Sequence, residues 1–281
     1  MRWRRGTGGG QVEDRRGASP VAVGGGAGGI GLVVLLLFYL LGGGNGGGSG
    51  GPLEGLPELP AAQGQTGPDP DAELKDFVSF VVQDVQSSWT TAFANSNKQY
   101  EPTKLVLFEG ATRTGCGVGS SQTGPFYCPL DRKVYLDLGF FRELRSRFEA
   151  PGDFAQAYVI AHEFGHHVQN QLGVMEDVQR KQSAGSEDAN DQSIRLELQA
   201  DCLAGVWAHS AYEEELLESG DLEVGLAAAA AVGDDRIQEQ STGRIDRESW
   251  THGSSEQRTK WFKNGFDSGD PSACNTFSGD V

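Results

Sequence analysis

The chain has 281 residues, room for one large domain or two small ones, and 39 acidic against 23 basic side chains give it a formal net charge of −16. A pI near 4.7 argues against nucleic acid as a partner, because neutralising phosphates needs a basic face. The four cysteines include no C-x-x-C pair, which argues against zinc-ribbon and thioredoxin-type arrangements and favours two disulfides in a domain outside the cytoplasm.

The charge is unevenly spread. Arg2, Arg4, Arg5, Arg15 and Arg16 precede a stretch from Gly17 to Leu53 with no charged residue. Within it, Val21 to Leu41 is long and apolar enough for a membrane-crossing helix of about 20 residues. The arginines ahead of it predict a cytoplasmic N-terminus and an extracytoplasmic remainder. A cleaved signal peptide is the alternative, but no Ala-x-Ala site follows Leu41. The expected organisation is a basic cytoplasmic segment (1–20), a transmembrane helix (21–41), a linker rich in Gly and Pro (42–70) and a folded domain (71–281).

In that domain, Leu74, Phe77, Val78, Val81, Val82, Val85 and Trp89 recur at helical spacing between Asp71 and Asn95. Lys104–Glu109 and Lys133–Asp137 read as short strands. Between them lies a Gly- and Ser-rich loop flanked by Cys116 and Cys128. A bridge there would stabilise the fold by about 3 kcal/mol in the chain-entropy model. Phe140 to Phe148 predicts a short helix. A longer helix follows, capped by Asp153 with Gln156 three residues on, and stopped by Gly173. Gly173 to Asp191 reads as partly loop. Helices are then expected from Ser193 towards Glu218 and from Glu223 to Gln240, the latter centred on small residues Ala227–Ala231 that suit close packing. Ser254 and Gln257 form a capping box opening a last helix with Trp261, Phe262 and Phe266 on its apolar face. Of the three pairings that four cysteines permit, loop proximity selects Cys116–Cys128 and elimination leaves Cys202–Cys274.

The chemistry concentrates in His162-Glu163-Phe164-Gly165-His166. Histidines at i and i+4 project from one helical face and can share one Zn²⁺, with Glu163 placed to take a proton from the water that the metal activates. The neighbours Phe154, Ala157, Tyr158, Val159 and Ile160 make this helix largely buried, where unpartnered imidazoles would be costly. Glu197 is the candidate third ligand. Asp201 lies on the same helical face and can hold a ligand imidazole by its other N–H. His167 points about 100° away from His166 around the helix and is expected to pack beside the site. His209 reads as a surface or cap histidine. His252, in a Gly- and Ser-rich loop, is either a structural residue or a donor to a tetrahedral oxyanion.

Several segments together resemble the neutral zinc metallopeptidase family of bacteria: His162–Gln169, Leu196–Trp207, Gly233–Gln238 and His252–Arg258, with Phe126–Asp131 and Val134–Asp137. The resemblance runs from about Asp71 to Phe277. It implies an α+β, predominantly helical, zincin-like domain with a small β-sheet, preceded by one transmembrane helix. It also implies one Zn²⁺ per chain on His162, His166 and Glu197, with Glu163 as the catalytic carboxylate. The Glu-x-x-x-Asp spacing is similar to that of thermolysin-type enzymes, while the gap of 30 residues between His166 and Glu197 is longer. The function expected is a membrane-anchored zinc peptidase acting on a peptide or protein, with Val134–Asp137 offered as a strand for an extended substrate. The alternatives are a non-catalytic, zinc-stabilised scaffold that binds a protein partner, and a zinc hydrolase of another amide such as a cell-wall cross-link. Oligomeric state is not encoded in any of these features.

Overall fold

Side chains of the central strands point alternately to the two faces of the sheet, and both faces are covered. In the computed structural model, which describes residues 1–5, 10–17, 69–121, 124–147, 152–183 and 189–281, the main sheet has the order β1-β2-β6-β5. Its strands are β1 (Val12–Asp14), β2 (Leu105–Phe108), β5 (Phe126–Cys128) and β6 (Lys133–Asp137). The pairs β1/β2 and β2/β6 are parallel, and β5/β6 is antiparallel. Leu105, Leu107, Val134 and Leu136 face the principal core under the helices. Val106, Phe108, Tyr135 and Cys128 close a smaller cluster on the other face. Burial on both faces explains why Leu105–Phe108 is apolar throughout rather than alternating. A hairpin of β3 (Ala111–Thr114) and β4 (Gly117–Ser120) fills the stretch expected as loop.

The segment proposed to span a membrane (21–41) and most of the linker (42–70) lie outside the described residues. Among the described residues, no helix is long and apolar enough to cross a membrane. Residues 12–14, set apart from the domain by the sequence reading, form an edge of its sheet. β6 lies inside the sheet, with Val134–Asp137 paired to β2 and Val134 and Tyr135 also to β5, so it is not the free edge that the expected substrate strand would need.

The helices are α1 (Ala72–Asn95), α2 (Leu138–Arg147), α3 (Asp153–Gln171), α4 (Val174–Ser183), α5 (Ala189–Glu213), α6 (Asp221–Ala231), α7 (Asp234–Thr242) and α8 (Ser255–Ser268). The architecture is α+β and mostly helical, as expected. The cap expected of Asp153 is not made. Gly152 takes the N-cap position at φ 128° without a side-chain bond, and Asp153 is the first helical residue. α4 takes up Val174–Ser183 of the stretch expected to be partly loop and buries only Val178. The helix expected from Glu223 to Gln240 is broken at Val232 and Gly233 into α6 and α7. The capping box of Ser254 and Gln257 forms as expected.

Both expected disulfides are present, Cys116–Cys128 and Cys202–Cys274. The second lies on a seam where the backbones of α5 and α8 touch. A Cβ added to Gly265 would stand 1.9 Å from the Cys202 carbonyl oxygen, and one added to Gly205 would stand 2.0 Å from that of Phe262. No side chain fits there. Gly265→Ala should therefore push α8 off α5 and cost about 3 kcal/mol, as overpacked cores do. Urea unfolding of the variant checks this; an unchanged midpoint would show that the seam is looser than drawn.

Candidate metal centre

Gly165 brings the two site helices together. A Cβ at Gly165 would lie 3.0 Å from the Ala200 carbonyl oxygen and 3.4 Å from the Ala200 Cβ. The small pair at this crossing lets α3 and α5 approach closely, and that approach delivers Glu197 to the histidines of α3. Ligand atoms of His162, His166 and Glu197 all lie within 4.8 Å of one another. His162 Nε2 is 3.2 Å and His166 Nε2 is 3.5 Å from the two Glu197 carboxylate oxygens. All three residues are buried, as is Glu163.

Each ligand imidazole is held by its other nitrogen. His162 Nδ1–H donates to Asp201 at 2.8 Å, the supporting role expected of that carboxylate. His166 Nδ1–H donates to the Gln169 side-chain carbonyl at 2.8 Å. The Gln169 amide is itself fixed by donating to the Leu196 carbonyl and the Gln199 side chain. Both Nε2 atoms are thereby presented to one point. Asp201 accepts further bonds from Tyr158 Oη at 2.5 Å and from Arg258 Nε and Nη2 at 2.7 and 2.9 Å. Gln169, Tyr158 and Arg258 were not picked out from the sequence. Gln169 could have been, since it sits one turn after His166 on the same face. Arg258 is 57 positions from its carboxylate, and no local pattern announces it.

His252 is buried beside this group. Its Nδ1–H donates to Asp234 Oδ1 at 2.9 Å. The other Asp234 oxygen accepts the backbone N–H groups of Thr251, His252 and Gly253 at 2.7, 2.6 and 3.1 Å. The break before α7 aims Asp234 into the loop, and Asp234 was likewise missed. His167 and His209 are structural, as expected. His167 binds the Tyr127 hydroxyl and donates to the Glu101 carbonyl, and His209 donates to the Phe266 carbonyl.

Burial dominates the electrostatics. It pushes the Glu163 carboxyl upward against the pull of His166 and His162. For Glu197 burial acts the same way, but His166 and His162 outweigh it, with a contribution from His252, and hold the carboxyl well below the usual carboxylate range. Burial disfavours a charged His162, yet Asp201 and Glu197 override it and push the imidazole up to about 10.

The donor set fits zinc. Two oriented Nε2 atoms and one carboxylate make three protein ligands, the number a catalytic zinc uses with one position left open. Among the described residues this is the one group of His, Cys, Asp and Glu side chains placed to hold a metal. The sequence from residue 1 to 277 matches the family described as "Putative neutral zinc metallopeptidase". The chain belongs to this family. It is 46% identical over 284 residues to Uncharacterized protein YpfJ of Escherichia coli (strain K12), covering 99% of each chain. It is 44% identical over 234 residues to Uncharacterized protein Rv2575 of Mycobacterium tuberculosis (strain ATCC 25618 / H37Rv), covering 79% of this chain and 77% of that one. No solved structure matches it. Zinc is consistent with the family and with the three buried ligands.

A raised His162 has a measurable consequence. Metal-free protein carries this imidazole protonated at pH 7, and zinc must displace the proton. Zinc affinity should therefore rise with pH through neutrality and level off near pH 10. Calorimetry in buffers of different ionisation enthalpy should report about one proton released from this ring per zinc bound at pH 7. Asp201→Asn should lower both the proton release and the affinity.

Proposed function

We propose that the chain is a zinc-dependent endopeptidase held at a membrane through residues 21–41, with its metal-site domain outside the cytoplasm, where the two disulfides persist. The observation that carries the reading is the position of Glu163. It is a buried carboxylate between His162 and His166 on one helix, close enough to both for their charges to act on it.

His162, His166 and Glu197 would hold the ion, which when bound supplies Lewis acidity towards water and a scissile carbonyl. Glu163 accepts the proton of the attacking water at its carboxylate and later delivers it to the leaving amine. Burial raises the basicity of that carboxylate, the direction the transfer needs. His252, clasped at Nδ1 by Asp234, has Nε2 free. Nε2 is the atom that would donate to the developing oxyanion, with Asp234 holding the ring from its other side. Asp201, Tyr158 and Arg258 keep His162 oriented and take no part in bond making.

The sheet supports a peptide or protein as the substrate. β5 is an edge strand, and its Tyr127 bonds His167 and Asn170 on the helix that carries the ligands. An extended peptide pairing with this edge would run beside the metal helix.

Glu163→Gln should keep zinc, because the side chain is not a ligand, and should lower hydrolysis of unfolded protein by about 10²–10⁴-fold. Metal content measured beside cleavage of a quenched-fluorescence peptide library separates the two effects. Undiminished proteolysis in this variant would remove the assignment. A zinc-loaded wild type that cleaves neither substrate would point instead to the scaffold reading.

A further inference from the structure

The N-terminal residues are built into the same body as the metal site. Val12, Glu13 and Asp14 pair in parallel with Leu105, Val106 and Leu107. Trp3 packs edge-on against Phe77, with ring centroids 5.5 Å apart, and its indole N–H donates to Asp153 at the start of α3. The Arg2 backbone N–H donates to the Leu216 carbonyl at 2.7 Å. Beyond residue 17 the chain returns at the place it left. Arg16 bonds Asp69 at 2.6 Å and also contacts Asp14 and Asp71. Lys75 closes on Asp14 at 2.8 Å.

This arrangement conflicts with a simple membrane crossing between residues 17 and 69. Only Val21–Leu41 is apolar enough to traverse hydrocarbon. Residues 42–68, rich in Gly, Pro and Gln, cannot cross back, because their backbone groups would be left unpaired in lipid. One crossing would put residues 1–17 and the domain on opposite faces, strip β1 from β2 and leave a buried apolar strand with an open edge. The arginine bias that suggests such a crossing has another use here. Arg2 pairs with Glu218, Arg5 with Glu73, Arg15 with Glu13, and Arg16 with the aspartates already named. Each exposed pair contributes little by itself. Together they occupy charges that would otherwise orient a span.

We propose that residues 1–17 stay docked on the metal-site domain in the membrane-bound protein, so that both lie on one face of the bilayer. The positive-inside expectation for this segment then does not apply, since four of its five arginines are engaged in ion pairs within the docked segment and with the domain. The inference does not depend on catalysis.

Arg4 and Lys98 are exposed, one in the N-terminal segment and one in the domain. All four cysteines are bridged, so Arg4→Cys and Lys98→Cys each introduce a sole free thiol into the full-length protein. Sealed membrane vesicles of one orientation are treated with a membrane-impermeant maleimide, before and after detergent. The two variants should behave alike, both labelled at once or both protected until lysis. Labelling of one thiol with protection of the other would overturn the proposal.

Discussion

The Asp201 carboxylate is the point on which the site depends. It is fully buried, and a lone charge there would be unsustainable, yet it accepts bonds from Tyr158 and His162 on α3 and a fork of two from Arg258 on α8. One group thus neutralises an otherwise costly charge, fixes the tautomer of a metal ligand and ties three helices together. Burial raises and Arg258 lowers its tendency to hold a proton, and the net effect keeps it ionised. Arg258 also donates to the Val232 carbonyl at 3.0 Å, at the break between α6 and α7. The support of His162 and the loop of His252 therefore share an anchor.

Such convergence requires helices closer than ordinary side chains allow. Gly165 against Ala200 sets the α3/α5 crossing, and Gly205 and Gly265 set α5 against α8. The small residues position nothing chemically, but they decide how far Glu197 and Arg258 reach. The Cys202–Cys274 bridge joins the tail to the same seam, and Arg195 and Gln199 bind the carbonyls of Thr276 and Cys274. The helix carrying the third ligand is therefore held on its outer side as well.

How much of this was legible depends on the range of each interaction. His162, Glu163 and His166 are a local pattern, and Glu197 with Asp201 is another, so both halves of the candidate metal centre could be read from the sequence. The Ser254 capping box and α1 were legible for the same reason: three- and four-residue spacings carry their own physics. Arg258 and Tyr158 were not, because their role exists only after α3, α5 and α8 meet. β1 was hidden by its place before an apolar segment, where five arginines suggested topology rather than the ion pairs that Arg2, Arg5 and Arg16 make with carboxylates far along the chain. β6 was recognised as a strand, but whether a strand is an edge depends on its neighbours, and β5 and β2 flank it on both sides.

The helix break at Gly233 shows the same conflict at closest range. From Glu223 to Gln240 the sequence favours continuous helix, with an alanine run and two glycines, each of which costs a helix only about 1 kcal/mol. The loop from Thr251 to Gly253 carries three N–H groups that need acceptors within the protein, and Asp234 Oδ2 supplies one acceptor for all of them. A continuous helix would carry Asp234 away from that loop and leave both the amides and the His252 ring unheld. Gly233 is extended at the break, with no room for a Cβ against Ser255. Local propensity thus yields where a buried loop has to be fixed, and that is where a reading of the sequence alone goes wrong.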